Sequence, residues 1–349
     1  MKNKLLMSLV LVCAFLGVAG AHTVHAADTG AKFTVSPVYP ANQADKTLGY
    51  FQLETPADSK GSLQVNVANL DPDKARVFKV TPVAATTSDA GQINYTPSSA
   101  KPDASAQYVV TQFLTRSVTI TLAPKTQKTV TFAYQIPKDG FKGTLLGSIY
   151  VYVLDTSSGE QKSKGFALNN RFAMALGLSM TMNRDQVVAP DLKLGTVKAQ
   201  THQNKPVVAA RLRNIKPSYF RNMTVDAKIT KNRQNDSLYT AKLADGSMAP
   251  NSNFNFLIGT NGKAIPAGNY VYHMTVKATG RTWRFTRAFT VSPKQRAKIA
   301  GEIGEKPSSY WWYWLIGIAI LLLLALVAWL FYLLGKRRRE QDENEEDDR

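Results

Sequence analysis

The chain has 349 residues, with 43 Lys and Arg against 25 Asp and Glu and a single Cys. A hydrophobic share of 44% excludes wholesale disorder, and the absence of a Gly-X-Y period or a cysteine framework excludes fibrous and disulfide-stapled classes. The length suits about two domains.

Lys2 and Lys4 precede an apolar run from Leu5 to Gly20, and Val24-His25-Ala26 follows it. A positive start, a short apolar stretch and a small-x-small site make a secretory signal peptide over 1–26, cut after Ala26. Its removal takes Cys13, His22 and His25, so the mature chain keeps no cysteine and only His202 and His273. No disulfide can form in such an exported chain, and its cores must hold themselves.

Period-two alternation then sets in. Leu63, Val65 and Val67 take one face against Gln64 and Asn66, and Val118 to Leu122 and Val130 to Ile136 repeat the pattern. This spacing predicts half-buried strands of antiparallel sheets, with Pro124-Lys125-Thr126-Gln127 as a hairpin connection between the last two. Gly147 to Leu154 is an apolar strand, and the small polar stretch 155–165 after it reads as a linker or long hairpin. A new apolar strand starts near Phe172. Val207 to Leu212, Met223 to Ile229, Asn253 to Ile258, Tyr270 to Val276 and Trp283 to Val291 follow. No amphipathic helix of convincing length appears between residues 27 and 309, and turns such as Pro266-Ala267-Gly268-Asn269 separate the strands. The expected fold is all-β, with two tandem antiparallel β-sandwiches over 27–160 and 161–299 and a polar tether over 300–309.

Tyr310-Trp311-Trp312-Tyr313-Trp314 leads into an uncharged run from Leu315 to Leu334. As a helix rising ~1.5 Å per residue, that run spans about 30 Å, the hydrocarbon thickness of a bilayer. The aromatic cluster suits the outer interface, Trp329 and Tyr332 the inner one, and Lys336-Arg337-Arg338-Arg339 the cytoplasmic side. The reading is a single-pass transmembrane helix over 310–334 in the cell membrane, an extracellular N-terminal body and a cytoplasmic tail over 335–349. The second body then lies close to the bilayer, with the first reaching outward.

With the leader and tail set aside, the whole excess of +18 lies between residues 27 and 309. Nucleic acid is not the expected partner, because the body is exported and lacks basic runs interleaved with stacking aromatics. Wall polymers and phospholipid head groups are the polyanions in reach, and salt screens the attraction beyond about 8–10 Å.

The first body opens with Phe33-Thr34-Val35-Ser36-Pro37-Val38-Tyr39-Pro40-Ala41-Asn42-Gln43 and Gly49-Tyr50-Phe51-Gln52-Leu53. It continues through Gly91-Gln92-Ile93-Asn94-Tyr95 and closes on Phe141-Lys142-Gly143-Thr144-Leu145-Leu146-Gly147. The second adds Met248-Ala249-Pro250-Asn251-Ser252, Ala267-Gly268-Asn269-Tyr270 and Trp283-Arg284-Phe285. In this order and spacing the segments resemble the WxL-interacting cell-surface proteins of Gram-positive bacteria, with a peptidoglycan-binding domain followed by a host-binding domain. The resemblance implies immunoglobulin-like sandwiches, binding of peptidoglycan and of WxL-domain surface proteins, and adhesion to host extracellular matrix as a further role.

Candidate ligand-binding residues are Tyr39, Asn42, Gln43, Tyr50 and Phe51: the amides suit sugars and peptide stems, and the rings can stack on a sugar. The competing reading, in which Asn42 caps the turn and the aromatics fill the core, is the stronger. Arg211, Arg213, Lys216 and Arg221 surround Pro217-Ser218-Tyr219-Phe220, a basic, aromatic loop region that can meet an acidic partner. A solvated edge explains the same pattern equally well. Trp283 and Phe285 share one strand face and read as core.

Two separated histidines and no cysteine give no metal cluster and no Cys–His pair, so no cofactor, metal or catalytic residue is expected. Ser98-Ser99-Ala100-Lys101 matches a bare SxxK, but it lies between Pro97 and Pro102 and lacks the companion motifs of penicillin-interacting enzymes. A non-enzymatic surface scaffold is the leading reading. A host-matrix adhesin with secondary wall contact is the alternative, and a wall hydrolase or transpeptidase the remote one.

Overall fold

The structure, a computed structural model, describes residues 30–154, 172–234, 236–305 and 311–346. The expected leader and the stretch 155–165 therefore lie outside the described residues.

The first body pairs two sheets. One has the order β1 (Phe33–Val38), β3 (Lys60–Asn69), β8 (Gln127–Gln135), all antiparallel. The other runs β2 (Phe51–Glu54), β10 (Ala173–Thr181), β9 (Thr144–Val153), β4 (Arg76–Ala84), β7 (Val118–Leu122). Alternation does what the pattern predicts: Leu63, Val65 and Val67 are fully buried while Gln64 stays exposed. They meet Phe51, Phe78, Phe132, Ile149 and Leu178 in one core.

The second body packs β11 (Leu192–His202), β12 (Lys205–Asn214) and β15 (Asn253–Gly259) against a four-stranded sheet. That sheet has the order β14 (Ser237–Met248), β13 (Phe220–Lys231), β16 (Gly268–Ala278), β17 (Arg281–Val291). Every pairing in both sheets is antiparallel. The core gathers Val208, Leu212, Met223, Ile229, Phe254, Tyr272 and Val276. The chain is thus all-β with two sandwiches, an architecture compatible with the immunoglobulin-like form.

Three expectations change. The apolar strand near Phe172 does not open the second body. As β10 it pairs antiparallel with β9 and parallel with β2, so the first sandwich extends to Thr181. Both bodies offer an apolar face, and the local pattern of this strand does not distinguish them. Pro124–Gln127 is not a hairpin turn, because β7 pairs with β4 in one sheet and β8 with β3 in the other. The segment crosses between sheets, with Lys125 at φ 57°. Finally, helix α1 (Pro293–Glu302) follows β17 and includes the first residues of the expected tether. The Ser292 hydroxyl accepts from the Gln295 N–H, Pro293 starts the helix, and Ile299 is buried against the second core.

Helix α2 (Trp311–Glu346) contains the apolar window Tyr313–Tyr332, 20 residues with mean hydropathy 2.8 and no part buried inside the protein. By length and composition it fits a transmembrane anchor.

An arm leaves the first body between β4 and β7. It carries the two-residue strands β5 (Thr86–Thr87) and β6 (Ile93–Asn94) and lies on the second body. The Gly91 carbonyl accepts from the Ser247 N–H at 2.8 Å, and the Ser247 hydroxyl accepts from the Ile93 N–H at 2.9 Å. Thr87 and Ser252 hydroxyls meet at 2.6 Å with both residues buried. Farther along, Arg213 donates to both oxygens of Asp103 at 2.7 and 2.8 Å, and the Asp103 side chain is only 2% exposed. The Asp103 N–H donates to the Asn251 carbonyl at 2.8 Å. A second seam lies at Thr144, whose N–H donates to the Pro217 carbonyl at 2.7 Å. The two bodies are therefore clasped directly to each other.

Candidate functional site

The clasp brings residues of both bodies into one cleft of about 340 Å³. Its floor is the outer face of the five-stranded sheet. Leu176, Leu178 and Met180 of β10 point into the core, so Ala175, Gly177 and Ser179 face outward and leave a shallow trough of small side chains. Tyr50 lies across it; a Cβ on Gly177 would sit 3.3 Å from the Cβ of Tyr50.

Tyr95, from the arm, forms a second wall. Its carbonyl accepts from the Ser148 hydroxyl at 2.6 Å, which ties the arm to β9. Burial raises the Tyr95 hydroxyl above its ordinary pKa, with Arg221 pulling the other way. The third wall comes from the second body, where Tyr219 and Arg221 reach over the trough. The buried amide of Asn214 shapes their loop, donating to the carbonyls of Ser218 at 2.7 Å and Ala249 at 2.9 Å. Tyr50 and Tyr219 are 38% and 43% exposed, which leaves ring surface free for a ligand. Three tyrosines, a guanidinium and the amide of Gln52 make a surface suited to stacking on a ring while binding a carboxylate or amide.

The other sequence candidates are placed differently. Phe51 is fully buried in the first core and cannot stack on a sugar. Tyr39 packs edge-on against it, ring centroids 6.4 Å apart, and its hydroxyl donates to the Leu48 carbonyl. Asn42 donates to the Glu54 carbonyl at 2.8 Å and the Tyr134 hydroxyl at 2.9 Å. Gln43 is buried, donates to the carbonyls of Asp45 and Tyr50, and accepts from the Gln52 N–H. Both amides therefore build the turn that presents Tyr50, and only Tyr50 of this group faces the cleft.

Arg211 and Arg213 line a separate polar cleft of about 660 Å³ along the seam between arm and second body. Arg213 is committed to Asp103, while Arg211 is exposed. This cleft is larger but follows the clasp, and its one aromatic, Phe254, is buried in the second core and offers little ring surface. Lys216 lines neither cleft; its backbone N–H donates to Asn214 Oδ1 at 3.2 Å. Ser98 lies in irregular backbone, its hydroxyl accepting from the Ala100 N–H at 3.1 Å. The sequence candidates did not include Tyr95, which lines the cleft, or Asp103, which holds Arg213 at the clasp. Tyr95 closes the Gly91-Gln92-Ile93-Asn94-Tyr95 segment, and that position is the signal that could have found it.

Residues 33–152 match the WxL Interacting Protein peptidoglycan binding domain, and residues 163–301 match the host binding domain of the same family. The second match begins upstream of β10, so family segment and sandwich do not share a boundary. No curated protein matches the chain. Among solved structures, the chain is similar to the CsuC–CsuE chaperone–tip adhesion subunit complex of Acinetobacter baumannii at 9% identity and TM-score 0.28, covering 64% of this chain and 89% of that one. It is also similar to the CupB2 chaperone of Pseudomonas aeruginosa at 12% identity and TM-score 0.25, covering 69% and 97%. Likeness at this level carries no argument about function.

Proposed function

This chain belongs to the WxL-interacting protein family, and from that premise we propose that it is a non-enzymatic scaffold anchored in the cell membrane with both bodies outside. Its two domains are of the family's peptidoglycan-binding and host-binding types. In this reading the junction cleft holds a peptidoglycan strand, the second body holds a WxL-domain surface protein or a host-matrix protein, and α2 fixes both at the membrane. The observation that carries it is the joining of Tyr50, Tyr95, Tyr219 and Arg221 from both bodies over one trough. Rings supply stacking area to the sugars, and Arg221 meets the carboxylates of the peptide stem.

The test is retention of the detergent-solubilised full chain on insoluble peptidoglycan. Tyr50→Ala and Tyr219→Ala should each weaken retention by about two- to tenfold, the worth of one aromatic contact, without lowering the melting temperature. Retention unchanged in the double variant moves the glycan site elsewhere, and no retention of the parent chain removes the proposal. The host-binding match supports the adhesin reading, in which matrix binding by the second body survives at physiological salt.

A further inference from the structure

Strand register defines two poles of the second sandwich. At one pole β12 ends at Asn214, β13 begins at Phe220 and β14 ends at Met248, and there the arm attaches. The turns 202–205 and 231–234 and the loop 260–267 lie at the other. The Thr260 N–H donates to the Pro206 carbonyl at 3.2 Å, and the Asn232 N–H to the Asn269 carbonyl at 3.1 Å, which ties them together.

Helix α1 lies against this second pole. Gln295 donates to the Ala199 carbonyl at 2.8 Å, the Thr201 hydroxyl donates to Glu302, and Glu305 accepts from the Ala264 N–H at 2.9 Å. The chain leaves the second body at Glu305 and enters the apolar helix at Trp311, six residues later. At full extension six residues reach about 20 Å, so the pole cannot move farther than that from the start of the helix.

The pole is basic. Lys205, Lys231, Arg233, Lys263 and Lys294 are exposed and have no ion pair among the described residues. Glu302 and Glu305 are taken by Lys298 and Arg296, which leaves Asp236 as the unpaired acid beside them. A short tether keeps these cations near the surface that the helix enters, and at that range an anionic surface attracts each of them.

We propose that this pole docks on the anionic phospholipid head groups around the C-terminal helix, holding the ectodomain upright instead of letting it swing on the tether. The inference rests on α2 spanning the bilayer, and it is independent of what the junction cleft binds. Strands of 10 to 12 residues rise about 33–40 Å from this pole to the junction, which sets the height of the tyrosine cleft above the bilayer.

The test places the mature chain from residue 27 on, which has no cysteine of its own, with a dye on Ala267→Cys, in nanodiscs with a head-group-attached quencher. Discs of phosphatidylcholine alone are compared with discs containing about a third phosphatidylglycerol. Docking predicts strong quenching only in the anionic discs and its loss in roughly 0.5 M salt. It also predicts loss in the variant with Gln at Lys205, Lys231, Arg233, Lys263 and Lys294, the docked-to-free ratio dropping about fivefold per charge removed. Quenching that ignores lipid charge or the five substitutions, or that never appears, overturns the proposal. Displacement from the anionic discs by soluble poly(glycerol phosphate) at matched phosphate concentration would also overturn it, because the pole would then prefer a wall polyanion.

Discussion

Among single residues, Tyr272 sets the clearest test of polar burial. It is fully buried, its hydroxyl has no partner among the described residues, and burial drives its pKa far upward. A lone hydroxyl in a core costs what it loses from water, so Tyr272→Phe should be neutral or stabilise by up to about 1 kcal/mol in urea unfolding. Gln43→Ala should do the opposite and cost about 1–3 kcal/mol, because the Gln52 N–H and two carbonyls lose a buried partner. Trp283 shows how far residue patterns carry. Its place on the inward face is readable from alternation, but β17 is a sheet edge and the ring packs only at the rim of the core. Its indole N–H donates to Asp191 at 3.3 Å and the Arg281 guanidinium lies 5.4 Å from the ring. Trp283→Ala should therefore cost about 1–2 kcal/mol rather than the ~3–5 of a fully buried aromatic.

At the level of elements, the arm between β4 and β7 decides whether the two bodies behave as one. Burial alone would raise the Asp103 carboxyl, but Arg213 and the N–H and O–H of Ser105 outweigh it and hold the pKa below the ordinary value. A carboxylate with a depressed folded-state pKa stabilises fully above its unfolded value of about 3.9 and loses that contribution as pH falls through the lower one. The clasp should thus be intact at neutral pH and weaken progressively below about pH 4. Asp103→Ala should cost about 1–3 kcal/mol and split a single thermal transition into two, as calorimetry would show. Gly143 has φ +71° and a Cβ there would lie 2.1 Å from the Pro217 carbonyl, so Gly143→Ala should open the other seam. Strands with strict alternation were legible from sequence, and so was the apolar span. The arm was not, because two-residue strands carry no period and their bonding partners lie more than 150 residues away. The Ser292-Pro293 start of α1 is a readable cap, but Ala297, Ile299 and Ala300 give it only a thin apolar stripe.

Over the whole molecule, sequence order and spatial order diverge. The motifs on which the family resemblance rests, Gly91 to Tyr95 and Met248 to Ser252, are joined across the junction through their neighbours Ser247 and Thr87. Strand β10 lies within the host-binding segment yet completes the first sandwich. A chain ending at residue 154 should therefore stay unfolded by circular dichroism, whereas one continuing to residue 190 should regain cooperative melting. The same interleaving governs how the protein matures. A polypeptide emerging N-terminus first cannot close its leading sandwich until Thr181 is out, nor seat the arm until Asn255 follows. Nascent material from Phe33 onward thus waits, partly open, through most of its own synthesis, and chaperones or peptidases at the exit site would meet it in that state.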